Sequence, residues 1–230
     1  MPPDAVSLDG VRKSFPLHGG GALDVLDVER LSIPAGEFTA LTGRSGCGKT
    51  TLLNLIAGIS LPTSGTVAVG DTDVAALSEV QRDRFRARHI GYVFQTFNLL
   101  SALSALENVM LAMMLAGVVH RSAQRRRAAD VLGRLGLGAR LSHTPRQLSR
   151  GEQQRVAIAR ALANEPALIL ADEPCASLDV RTARAVLGEF LGVCREGRKT
   201  LVVVSHDGAA LSAADRVVDI ADINRVASAT

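Results

Sequence analysis

The chain has 230 residues, 47% of them hydrophobic, with one Tyr, no Trp and a formal net charge of +3. That length suits one α/β domain with room for a smaller lobe, and aliphatic side chains must fill its core. The surplus of cations is too small and too scattered to mark a nucleic-acid binder, and its densest cluster, Arg125, Arg126 and Arg127, reads as a solvated helix face. Cys47, Cys175 and Cys194 are odd in number, with no CxxC pair and no metal-ligand spacing, as expected of a reduced cytosolic protein. The first residues, MPPDAVSLDG, carry no basic segment followed by an apolar run, so no secretory signal is expected. The longest apolar run, 109–119, falls short of the roughly 18–20 residues needed to span a bilayer.

Taken in chain order, residues 5–36 show short apolar segments broken by turn signals. They predict two or three β-strands, with a flexible tip at 18–22 and a tight turn at Pro34-Ala35-Gly36. A strand follows at 37–42, then a glycine-rich loop and an apolar helix over 50–57, the strand–loop–helix order of a parallel nucleotide-binding sheet. Short strands are expected at 66–69 and 89–95, with a charged helix over 80–88 between them. Residues 100–163 look helical throughout. The continuous apolar runs 167–171 and 200–205 predict buried parallel strands, with a helix over 181–195 between them and a last strand at 217–220. There is no internal repeat and no low-complexity linker, so the helical middle reads as a lobe inserted into one α/β core.

Gly43-Arg44-Ser45-Gly46-Cys47-Gly48-Lys49-Thr50 matches G-x-x-x-x-G-K-[ST] in the context that pattern requires, after a strand and before a helix. The glycines let the backbone wrap phosphates with its N–H groups, and the helix adds the positive end of its dipole. Lys49 is expected to reach the β- and γ-phosphates of ATP, and the Thr50 hydroxyl to ligate Mg2+, with Thr51 beside them. Cys47 is expected to be an inert small residue contributing backbone. Asp172 and Glu173 follow a buried strand, at the edge where open α/β sheets bind ligands. Asp172 is suited to hold Mg2+, and Glu173 to polarise the attacking water as a general base. Gln95 and His206 end two further strands at the same edge. Ser149 and Glu152 form an S-x-x-E capping box before a helix to about residue 163. With Gly151, this helix start either caps a plain helix or serves phosphate bound by another molecule.

These motifs, in this order, resemble an ATP-binding cassette (ABC) ATPase from about residue 6 to 225. The resemblance implies an α/β P-loop NTPase core, about 1–96 and 158–230, with an N-terminal antiparallel β-subdomain and an inserted helical subdomain, about 97–157. It places Lys49 in the Walker A loop, Gln95 in the Q-loop with a role in ATP and Mg2+ binding, and 149–153 in the signature. It places Asp172 and Glu173 in Walker B and the catalytic carboxylate, 177–179 in the D-loop, and His206 as the switch histidine. Phe15 stands where the family stacks an aromatic on adenine. Two copies are implied to pair head to tail on ATP, Ser149 and Gly151 acting in trans and His206 in cis on the γ-phosphate. A separate integral membrane subunit is the implied partner, docking near the Q-loop and 99–119, with the chain peripheral on the cytoplasmic face of the membrane.

Residues 88–100, 106–109 and the run LSRGEQQRVAIARAL resemble the lipoprotein-releasing, macrolide-exporting and cell-division-associated branch. One other function fits the sequence equally well, and two more fit less of it. A signalling ATPase that switches a cell-envelope enzyme without moving cargo would share the same cassette chemistry. A soluble ABC ATPase of DNA repair or translation usually carries two cassettes or a long coiled coil. A P-loop kinase is disfavoured by the signature segment. One departure stands out: Arg150 occupies a signature position that is usually glycine. It is expected to permit activity while altering ATP affinity or dimer lifetime.

Overall fold

The computed structural model describes residues 3–17 and 19–226. In chain order its elements are β1 (Asp4–Pro16), β2 (Ala22–Pro34), β3 (Phe38–Thr42), α1 (Lys49–Ile56), β4 (Ser64–Val69), β5 (Thr72–Asp73), α2 (Glu79–His89), β6 (Ile90–Val93), α3 (Ala105–Ala116), α4 (Arg121–Arg134), α5 (Arg150–Leu162), β7 (Leu168–Asp172), α6 (Val180–Glu196), β8 (Thr200–Val204), α7 (Gly208–Ala213), β9 (Arg216–Asp219) and α8 (Ile220–Ile223). Single 3-10 turns lie at Gly138–Arg140 and Pro145–Gln147. The described residues fall into two compact units. One runs up to residue 82 and resumes at 200; the other is 83–199.

In the first unit, β1 and β2 form a long antiparallel hairpin, and β4 and β5 extend that sheet in the order β2-β1-β4-β5. The alternation of Val6, Leu8 and Val11 along β1, and of Leu26, Val28, Leu31 and Ile33 along β2, puts one face of the hairpin in the core, as a half-buried sheet demands. Of the expected tip at 18–22, His18 lies outside the described residues. Beside it, Leu17 N–H donates to Gly21 C=O at 3.2 Å, so the hairpin end is hydrogen-bonded. In the same unit β3 lies between β8 and β9, parallel to both. Every residue of β8 is buried, as are the first four of β3, which is why these strands read as unbroken apolar runs. Leu52, Leu53, Leu55 and Ile56 of α1 are buried as well.

The second unit carries β6 and β7, paired in parallel from Ile90↔Leu168 to Val93↔Ala171. α5 lies so close to β6 that a Cβ at Gly91 would stand 2.3 Å from Ala161 C=O, so that position admits no side chain. The strand expected over 89–95 is shorter, because His89 ends α2, its ring stacked on Phe85 at 4.6 Å. The stretch 100–163, expected to be helical throughout, is three helices separated by turns. α3 starts at a second capping box, Ser104 with Glu107, and ends at Gly117, whose φ of 64° is the left-handed conformation that closes helices. Pro145 begins a separate 3-10 turn, since proline cannot continue a helix from upstream. Three small elements, β5, α7 and α8, have no counterpart in the sequence reading.

Candidate active site

The first unit builds a phosphate cradle from its strand register. β3 and β8 pair with Leu41 opposite Val204, and Ser205 N–H continues the ladder to Leu41 C=O at 3.1 Å. Gly43 and His206, each two residues past that pair, therefore leave the same edge side by side. The loop then turns through Gly43, Gly46 and Gly48 at φ 140°, 80° and 98°, all in the region L side chains avoid. Two of these glycines are also hemmed in. A Cβ at Gly43 would lie 2.9 Å from Cys47 Sγ, and one at Gly48 would lie 2.7 Å from Leu26 Cδ2.

Lys49 opens α1 and is only 7% exposed. Its ammonium donates to Gly43 C=O at 2.6 Å and Arg44 C=O at 2.7 Å, with Cys47 Sγ at 3.9 Å. A buried cation demands oxygen partners, and here the loop supplies them at the spot where phosphate oxygens fit a G-x-x-x-x-G-K loop. Arg44, Ser45 and Gly46 are exposed at the loop's outer rim, Thr50 is exposed on the first turn of α1, and Thr51 is half-buried. A cavity of about 350 Å3 adjoins the loop, lined on one side by Arg44, Ser45, Gly46 and Cys47 and on the other by Leu23, Asp24 and Val25 of β2. Phe15 pairs with Leu23 across the hairpin. It is 41% exposed, and Lys13 Nζ lies over its ring at 4.8 Å.

In the second unit the same register logic applies. Val93 faces Ala171, so Gln95 and Glu173 emerge together, and Gln95 Nε2 donates to Glu173 Oε2 at 3.4 Å. Asp172 ends β7 and is buried. Burial, and then the charge of Asp172, push the Tyr92 phenol well above its ordinary range, so Tyr92 stays a neutral packing group stacked on Phe94 at 4.3 Å. Glu173 sits at φ 44°, a left-handed backbone rare for a residue with a side chain. The expected capping box is present: Ser149 Oγ accepts from Glu152 N–H at 3.3 Å, and Glu152 Oε2 accepts from Ser149 N–H at 2.8 Å. The bond from Ser149 N–H leads the causes that hold the Glu152 carboxyl below its ordinary value. Gly151 is buried, and a Cβ there would meet Thr182 Cγ2 at 2.5 Å. Its small size is therefore set by the approach of α6, whose first turn is capped by Asp179 accepting from Thr182 N–H at 3.0 Å.

The structure thus brings the loop 43–51 and His206 to one strand edge, and Gln95, Asp172 and Glu173 to another. Ser149 and Gly151 belong to a helix start packed on α6. The sequence reading did not mark Asp24, Val25 or Asn224 beside the loop. The first two lie in a strand that reads as plain hairpin, and an Asn near a chain end reads as a turn residue.

The ABC transporter family profile matches residues 26–176. The chain belongs to the ABC transporter family. It is an ATP-binding cassette and an ATPase of that family, with the family's α/β fold. It is 45% identical to the lipoprotein-releasing system ATP-binding protein LolD of Gluconobacter oxydans, across 95% of this chain and 94% of that protein. It is 46% identical to the macrolide export ATP-binding/permease protein MacB of Rhodopirellula baltica, across 94% of this chain but only 32% of that protein. The ATP-binding cassette MJ0796, solved as a dimer in a post-hydrolysis state bound to ADP and Pi, superposes with a TM-score of 0.85 at 38% identity, covering 93% of each chain. Among the described residues, no helix of this cassette is long and apolar enough to cross a membrane.

Proposed function

We propose that two copies of this cassette pair head to tail around ATP and, by hydrolysing it, drive a separate integral membrane subunit from the cytoplasmic face of the membrane. The observation that carries this reading is the phosphate loop, with its Lys49 ammonium buried among loop carbonyls. ATP phosphate oxygens replace those carbonyls as partners of Lys49, while the N–H groups of 44–50 and the start of α1 hold the remaining charge. The nucleoside occupies the cavity at Leu23–Val25, with adenine on the ring of Phe15. The proposed Mg2+ donors, Thr50, Gln95 and Asp172, offer hydroxyl, amide and carboxylate oxygens, the hard set that Mg2+ prefers. When bound, the ion neutralises charge building between the β- and γ-phosphates.

Glu173 orients a water and accepts its proton, and the amide of Gln95 keeps that carboxylate in place before the water arrives. His206 donates to the γ-phosphate of its own chain. Ser149 and the start of α5 serve the γ-phosphate held by the other copy. The likeness to LolD and MacB supports a cargo in the class of released lipoproteins or exported macrolides, selected by the membrane subunit. The end of α3 and the turn after it offer that subunit an apolar surface at Met114, Leu115 and Val118, all exposed.

The test is Glu173→Gln, followed by light scattering with Mg-ATP. The expected result is a stable ATP-bound dimer in the variant and a transient one in the wild type, with phosphate release lowered at least about a hundredfold. A variant that hydrolyses ATP at the wild-type rate would remove Glu173 from the role of base. A variant that binds ATP yet stays monomeric at high concentration would reject pairing by ATP alone.

A further inference from the structure

The last described residues return to the phosphate loop. α8 leads into Asn224, whose backbone bridges Val28 of β2, and Arg225 N–H donates to Asp27 C=O at 3.0 Å. The Asn224 side chain is 1% exposed. Its Oδ1 accepts from Asp27 N–H at 2.9 Å and from Val226 N–H at 3.3 Å. Its Nδ2 donates to Val25 C=O at 2.9 Å and to Cys47 C=O at 3.1 Å. One buried amide therefore joins three segments: the strand that walls the cavity, the chain after α8 and the middle of the phosphate loop. The task needs an acceptor and a two-hydrogen donor on one short side chain, which Asn supplies.

The position of that last bond gives it functional weight. Cys47 lies between Gly46 and Gly48, both at positive φ, so this stretch takes no shape from a helix or a sheet. Glycines that permit the loop's turn also permit others, and the loop must be fixed from outside before its N–H groups converge on phosphate. Asn224 and Cys47 also line the same cavity. We propose that Asn224 is a positioning residue for nucleotide binding, its amide holding the phosphate loop at Cys47 against β2 in the phosphate-ready shape. The inference rests on the proposed ATP site.

The test uses Asn224→Asp in the full chain. This isosteric change keeps the acceptor for Asp27 and Val226 but removes the donor, and sets an oxygen against the carbonyls of Val25 and Cys47. Affinity for a fluorescent ATP analogue, KM, kcat and Tm are measured together. The expected result is a dissociation constant and KM raised about tenfold with kcat within about twofold of wild type. A lowered Tm with unchanged nucleotide affinity and KM would reduce Asn224 to fold support and overturn the proposal. Asn224→Ala, which removes the donor and sets no new charge beside the phosphates, is measured alongside against the same two outcomes, and stands alone should the Asp variant not fold. A wild-type chain that fails to bind the analogue would instead overturn the ATP site itself.

Discussion

Arg150 holds its cation exposed at the first position of α5, where the helix dipole is positive. A cation there costs about 0.3–1 kcal/mol, a cost that a triphosphate from a second copy would offset. In Arg150→Gly, the expectation is ATP-driven pairing weakened several-fold at low salt, with the difference closing as added salt screens the charge. Light scattering across a salt series measures it, and identical pairing and ATPase kinetics at every salt would strip this residue of a role. The local elements that carry the proposed site, a glycine turn, strand ends and a cap, were largely legible, because the physical reason for each lies within its own motif. Asn224 was not, because its partners, Asp27 and Cys47, are far away in sequence and only the folded hairpin brings them to it.

At the scale of elements, α5 depends on its first turn. The Glu152 carboxyl is held below its ordinary value by Ser149, so it stabilises the helix fully above that ordinary value. This contribution fades as pH falls through the lower folded value. Glu152→Gln keeps the capping geometry without the charge. It is expected to be less stable than wild type at neutral pH by a few tenths to about 1 kcal/mol, and to match it once the pH has fallen below the lowered folded value, as read from denaturant melts. A gap that persists in acid would assign the difference to packing. Strands were read well where burial is two-sided, as in β3, β7 and β8, since continuous apolar runs leave little choice. The region 100–163 was over-read as helix, because high helix propensity runs through its breaks. What bounds the helices there, Gly117 in the left-handed conformation at the end of α3 and the separate Ser caps at the starts of α3 and α5, is a matter of single residues.

For the molecule as a whole, the apolar end of α3 is the feature a membrane subunit would cover. Leu115, at 77% exposure, makes no core contact that a charge could disturb, and a cation suits the last turn of a helix. Leu115→Lys is expected to leave Tm unchanged while moving the chain from sedimented membranes to the supernatant in cells that express it. Equal sedimentation would place the docking surface elsewhere. The parallel strands and their motif-bearing ends could be read from sequence.

Glu173 links these scales. Its left-handed backbone costs roughly 1–2 kcal/mol for a residue with a Cβ, and glycine would carry it at almost none. On the proposed mechanism the most stabilising change open at this position is therefore the one that abolishes turnover. A lineage of such chains drifting under selection for robustness alone would be drawn toward cassettes that still clasp ATP and no longer let it go.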